Sequence, residues 1–202
     1  MNTKRLVTAL ILTVGMVIIA VVVFTYSPAS QAQEAPLAQL AIQASDIESF
    51  AGKVMHAGPF SADDMHQPLS RSNGAFADAE ASLFNFEEGY SIGGVIYDGE
   101  ATGYAANYLY RYATDEQSQL AGKVVSERLG GAPGAKALDL SLESSTVQSG
   151  QAFVVEGSEG DVVYWVVAAK GRTLNLLILN GPGASEAAAR VFSTLTVRNL
   201  ER

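Results

Sequence analysis

The stretch Asp161–Leu179, DVVYWVVAAKGRTLNLLIL, decides the fold. It holds two β-rich apolar runs, VVYWVVAA and LNLLIL, joined across Lys170-Gly171-Arg172. Two such runs with a short Gly-containing link read as an antiparallel hairpin. Their near-continuous hydrophobicity predicts central strands, covered by other elements. Upstream, Gln151–Glu156 joins the same hairpin series across Gly157-Ser158-Glu159-Gly160. Downstream, Ser185 is placed to cap a helix whose stripe of Ala188, Val191, Phe192 and Leu195 would face the sheet.

The pattern continues toward the N-terminus. Leu138, Leu140 and Leu142 alternate with Asp139, Ser141 and Glu143 and predict a further strand. Thr114-Asp115-Glu116-Gln117 fits a capping box and opens a helix with Ala121, Val124, Val125 and Leu129 on its apolar face. Gly130-Gly131 ends it. Tyr104–Tyr112, YAANYLYRY, alternates with period two, placing Tyr104, Ala106, Tyr108, Tyr110 and Tyr112 on one strand face. Ala105, Asn107, Leu109 and Arg111 take the other. Ser91–Tyr97 reads as strand, and Phe76–Phe86 mixes helical and strand character. Gly52–Asn73, broken by Gly58-Pro59, Pro68 and Asn73-Gly74, reads as a long loop holding at most one strand. Leu37, Leu40, Ala41 and Ala44 predict a short amphipathic helix that ends near Ser45-Asp46. The sum is an α+β fold: an antiparallel β-sheet of five to seven strands packed with helices.

The first 34 residues differ from the rest. Lys4 and Arg5 precede an uncharged apolar run, Leu6–Tyr26, long enough as a helix to cross the ~30 Å hydrocarbon core of a bilayer. Charges ahead of the run place the N-terminus inside and everything after Tyr26 outside. The domain plan is 1–34, an N-terminal membrane anchor or signal peptide with spacer, and 35–202, an extracytoplasmic α+β domain. Ser30-Gln31-Ala32 offers a cleavage site, whereas the length of the run favours a retained anchor. The localisation expected is therefore the cell membrane, single-pass, with the C-terminal domain outside, or secretion if the segment is cleaved. There is no cysteine, hence no disulfide framework and no thiolate metal site. With 13 Lys and Arg against 21 Asp and Glu, and two of the basic residues ahead of the apolar run, the domain is acidic. That disfavours nucleic acid and anionic membrane surfaces as partners.

The layout of these pieces resembles a known group. The LAIQASDIESF segment at Leu40–Phe50 is followed by an irregular stretch, a Gly89-Tyr90 to Tyr112 strand region and a helix. A Gly/Pro loop and two hairpins come next, and the chain closes on AAARVFSTLTVRNL. This resembles the bacterial extracytoplasmic domains with a PsbP-like fold, over roughly Leu37 to Leu200. The chain departs from them at Asp46-Ile47-Glu48-Ser49-Phe50, where Asp-Leu-Pro-x-Gly-Phe would be expected. The resemblance implies an α+β domain that binds or assembles and does not catalyse.

The residues offer few constellations for chemistry. Tyr104, Tyr108, Tyr110 and Tyr112 form a row that is either core beneath the helices or a platform for a sugar, peptide or lipid. Met55-His56 and Met65-His66, the chain's two His residues each beside a Met, supply ligand types suited to copper. Ser61, His56 and Asp63 are the residue types of a hydrolytic triad, without a nucleophile elbow or oxyanion signature. LGGAPGAK at Leu129–Lys136 lacks phosphate-loop spacing, and EGSEGD at Glu156–Asp161 lacks EF-hand spacing. No cofactor is expected. The expectation is a non-enzymatic binding or accessory module recognising an envelope protein or small ligand. Its contact surface would be the Gly52–Asn73 loop with the tyrosine row. A metal-binding protein using Met55, His56, Met65 and His66 is the alternative.

Overall fold

Period-two patterning and short Gly turns lay the central strands side by side. The structure, a computed structural model, describes residues 34–61, 85–140, 142, 147–156 and 162–202. Contacts divide the chain into Met1–Glu34 and Ala35–Arg202. In the second unit seven strands form one antiparallel sheet in the order β1-β2-β3-β7-β6-β5-β4. They are β1 (Lys53–Phe60), β2 (Glu88–Asp98), β3 (Ala101–Arg111), β4 (Ala135–Leu138), β5 (Ser149–Glu156), β6 (Val162–Lys170) and β7 (Thr173–Asn180). The helices are α1 (Leu37–Leu40), α2 (Ala44–Glu48), α3 (Asp115–Gly130) and α4 (Glu186–Leu200). The α+β, antiparallel expectation holds. The apolar run Leu6–Tyr26 lies outside the described residues, and among those described no helix is long and apolar enough to cross a membrane.

Sheet alternation sorts the strand residues into two cores. One holds Ile92, Ile96, Ala105, Leu109, Val166, Leu177 and Leu179 beneath α1, α2 and α4. The other holds Tyr110, Tyr112, Phe153, Trp165, Val167, Leu174 and Leu176 beneath α3. The two faces are covered unequally. On the first, α1 and α2 pack over β1–β3 and α4 packs over β6 and β7. On the second, α3 packs on β4, β5, β6 and β7. Among the described elements, no helix lies over β1 and β2 on that second face.

Local chemistry fixes the helix starts. Thr114 accepts from the backbone N–H of Gln117, and Ser185 accepts from that of Ala188, satisfying N–H groups that a first turn leaves orphaned. Ala121, Val124, Val125 and Leu129 are buried as the spacing predicts. On α4 the expected stripe needs correction: Val191 is 46% exposed. The buried face runs instead through Ala188, Ala189, Phe192, Ser193, Thr196 and Asn199.

The single helix expected after Pro36 is two short helices. The break has a cause 65 residues away. Asn107, fully buried on β3, accepts from the Ile42 backbone N–H at 3.0 Å. Its Nδ2 donates to Asn175 Oδ1 at 2.6 Å and to the Leu176 carbonyl at 3.2 Å. Asn199 of α4 donates to the Ala41 carbonyl at 2.9 Å. The Gln43 N–H is taken by the Asp46 carboxylate at 2.7 Å. These side chains offer the backbone partners that a continuous helix would otherwise provide.

The one strand allowed for within Gly52–Asn73 is the edge strand β1, Lys53–Phe60, and residues 62–84 lie outside the described residues. The strand expected around Leu138–Leu142 sits earlier, at Ala135–Leu138, where it pairs with β5. Leu140 and Leu142 are still buried in the core under α4.

Candidate functional site

The tyrosine row is the strongest site candidate in the sequence, and burial divides it. Tyr110 and Tyr112 are 3% and 1% exposed, in the core beneath α3. Tyr104 and Tyr108 are only half-buried. A ring enclosed in packed core cannot serve as a platform, so Tyr110 and Tyr112 leave the set of ligand-binding candidates. Phe60 and Phe86 seal the boundary between the two halves. Phe60 meets Tyr110 edge-on at 5.5 Å and Tyr108 at 6.3 Å, and Phe86 meets Tyr110 at 5.2 Å.

Burial also acts on the phenols. It pushes the Tyr110 and Tyr112 hydroxyls well above their ordinary value of 10.0, with added repulsion at Tyr110 from Tyr112 and Tyr108. A folded pKa raised above the unfolded one gives stability that is whole below pH ~10 and lost as pH rises toward the folded value. Stability is therefore expected to be level on this account up to about pH 10 and to fall above it. Phenolate absorbance and circular dichroism followed together check this. Part of the phenolate signal should arise only as the fold is lost; ionisation complete before any unfolding would contradict it.

The open half of the face lies on β1, β2 and β3. The pairing registers set His56, Gly58 and Phe60 of β1 opposite Gly93, Ser91 and Gly89 of β2. These three lie opposite Ala106, Tyr108 and Tyr110 of β3. Tyr104 Oη lies 3.2 Å from His56 Nδ1. A Cβ at Gly93 would lie 2.5 Å from His56 Cε1 and 2.5 Å from Tyr104 Oη, so the missing side chain is what lets this pair close over β2. Desolvation holds the His56 imidazole below its ordinary value of 6.5 and raises the Tyr104 phenol, with a further push from Tyr108. Burial raises Tyr108 as well. Imidazole and phenols are therefore neutral at pH 7. Groups in these states can donate and accept hydrogen bonds, and a phenol held protonated is not an activated nucleophile.

The remaining candidates scatter. Met55 is 63% exposed, in the step where the β1–β2 register shifts between Val54 and His56. Met65, His66 and Asp63 lie outside the described residues. Among the described residues no group of three or more His, Asp or Glu is arranged to hold a metal. Ser61 follows β1 directly, five residues from His56, which along a strand is roughly 16 Å. Direct proton transfer needs about 3 Å, so the serine and histidine of the supposed triad are not brought together. What the sequence did not single out are Gly58, Gly89, Ser91 and Gly93, the small residues flooring the open half. Gly89 and Gly93, each one strand repeat from Ser91, are the signal that could have found three of them; Gly58 joins them only through the β1–β2 pairing.

No family model matches this sequence, and no curated protein matches it. Among solved structures, the extracellular domain of PknH from Mycobacterium tuberculosis is similar, with a TM-score of 0.52 and 9% identity. The match covers 80% of this chain and 93% of that one. The likeness is one of fold. An uncharacterised protein from Mycobacterium smegmatis, the Rv0999 ortholog, aligns at a TM-score of 0.40 and 10% identity, over 84% of this chain and 99% of that one.

Proposed function

We propose that this chain is a non-enzymatic extracytoplasmic binding module, held at the outer face of a membrane by Leu6–Tyr26. In this reading it recognises an envelope protein or a small ligand through the open half of its sheet. The observation that carries the reading is the division of the tyrosine row. One face of a central strand is core at Tyr110 and Tyr112 and half-exposed at Tyr104 and Tyr108. Rings with polar tips, fixed on a rigid sheet, make contacts at low entropic cost. The PsbP-like kinship and the outside location belong to the same proposal. They are supported by the sequence layout, by Lys4 and Arg5 ahead of the apolar run, and by an antiparallel sheet clad in helices.

Deleting Gly52–Asn73 would remove β1 and with it the sheet edge, so the test uses point variants. Full-length protein and a Tyr104→Ser/Tyr108→Ser variant are crosslinked in native membranes, and attached proteins and co-purifying small molecules are identified by mass spectrometry. The expected result is a species captured by the wild type and absent from the variant, with both giving the same circular dichroism spectrum. An identical set from both proteins removes this face as the site. The copper reading rests on Met65 and His66 together with His56 and Met55. No observation on the described residues favours it over the binding reading.

A further inference from the structure

Along β2, the positions on the open half are Gly89, Ser91 and Gly93. A Cβ at Gly89 would fall 2.5 Å from the Phe60 ring, and one at Gly93 would strike His56 and Tyr104, so rings fill the space over both glycines. Ser91 lies between them. Its β1 partner is Gly58, where an added Cβ meets nothing within 4 Å. Its β3 partner is Tyr108. The outcome is a notch over Gly58 and Ser91. Phe60 closes one end, the Tyr104–His56 pair closes the other, Tyr108 forms the inner side, and among the described residues nothing closes the outer side at the sheet edge. The end walls stand four residues apart on β1, roughly 13 Å between Cα atoms. Once the rings are allowed for, that length suits one six-membered ring.

We propose that this notch binds a neutral pyranose ring of a glycan. The inference rests on the open half-face being the binding surface and adds what it binds. The walls are aromatic, and the C–H face of a sugar packs on such rings. The polar atoms are hydroxyls and imidazole: Ser91 Oγ, Tyr108 Oη, Tyr104 Oη and the His56 ring. An acyl chain would cover these groups without pairing them, at a cost for each group it desolvates. A sugar's ring of hydroxyls can both donate to them and accept from them. Among the described residues, none of those lining the notch itself (His56, Gly58, Phe60, Ser91, Tyr104 and Tyr108) carries a formal charge at pH 7; the nearest cation on this face, Lys53 opposite Val95, stands beyond the Tyr104–His56 wall. Imidazole and phenols held neutral by desolvation agree with this.

The test is saturation-transfer NMR on the full-length protein with cellobiose and maltose, against octanoate and glucuronate. Gly58→Val fills the notch without removing any wall, and a β-branched residue suits a strand. The expected result is transfer to the ring C–H protons of at least one disaccharide and weak or no transfer to octanoate or glucuronate. Gly58→Val should weaken sugar binding by about tenfold or more. Ser91→Met, entering from the floor, gives a second block should Gly58→Val disturb the fold. The inference is overturned if neither sugar binds, if sugar affinity survives both substitutions, or if octanoate binds in preference. Failure here together with a crosslinked species that Tyr104→Ser/Tyr108→Ser abolishes would remove the sugar and keep the binding face. Loss of both would remove the face as well.

Discussion

Phe192→Ala is expected to lower unfolding stability by about 3–5 kcal/mol, the usual cost of emptying a fully buried aromatic site. Phe192 is 0% exposed and belongs to the core of buried residues between α4 and the sheet. Its ring stacks on Phe50 at 4.8 Å and 18°, joining the segment after α2 to α4. Removing it leaves a cavity between two elements that meet the sheet from the same side, where the surroundings collapse only in part. Urea unfolding checks the expectation. The midpoint should fall with an unchanged slope, which marks a loss of native stability and not a change in the unfolded chain. A variant within about 1 kcal/mol of wild type would mean that Phe192 is not enclosed as described.

Asn107→Ala is expected to cost about 2–5 kcal/mol, for a different reason. No large volume is lost, but the Ile42 N–H and Asn175 Oδ1 lose their partners in a fully buried setting. Each orphaned group costs on the order of 1–3 kcal/mol. Asn175 Nδ2 already has no partner among the described residues, so that side chain has little left to offer a neighbour. Amide exchange separates this effect from general destabilisation. Ile42 should lose protection by more than the global change in stability explains, because its own hydrogen bond has gone. Equal loss at Ile42 and at the β6–β7 amides would show that Asn107 does not hold the α1–α2 break.

The residues that made the fold legible have local consequences. Lys170-Gly171-Arg172 between two apolar runs sets a hairpin whatever the rest of the chain does, and β6 and β7 pair there, with Lys170 opposite Thr173. Thr114 declares a helix start through one hydrogen bond three residues on. What stayed hidden depends on distant partners. The stretch Leu37–Ala44 has helical spacing, and only Asn107 of β3 and Asn199 of α4 reveal why it breaks. β1 carries Gly58-Pro59 and exposed positions, which read as loop; proline is tolerated there because an edge strand need not donate on its outer side. Val191 fits the α4 stripe by spacing alone, but the axis of α4 on the sheet sends Thr196 and Asn199 inward instead.

The site was half legible for the same reason. Period two grouped the tyrosines correctly, and nothing in YAANYLYRY states which of them other parts of the chain will enclose. Phe60 of β1 and Phe86 ahead of β2 pack on Tyr110, and Tyr110 and Tyr112 belong to the same buried cluster as the apolar face of α3. Such tertiary contacts turn one uniform row into two buried rings and two half-exposed ones.

Tyrosine nitration of the folded, full-length protein, mapped residue by residue by fragmentation mass spectrometry, tests that division most directly. Tyr104 and Tyr108 should react well ahead of Tyr110 and Tyr112, with exposed Tyr97 as the reference for full reactivity. Tyr104 and Tyr108 reacting as slowly as Tyr110 would mean that the β1–β3 half of the face is covered in the folded protein, and the binding surface proposed there would have to be abandoned.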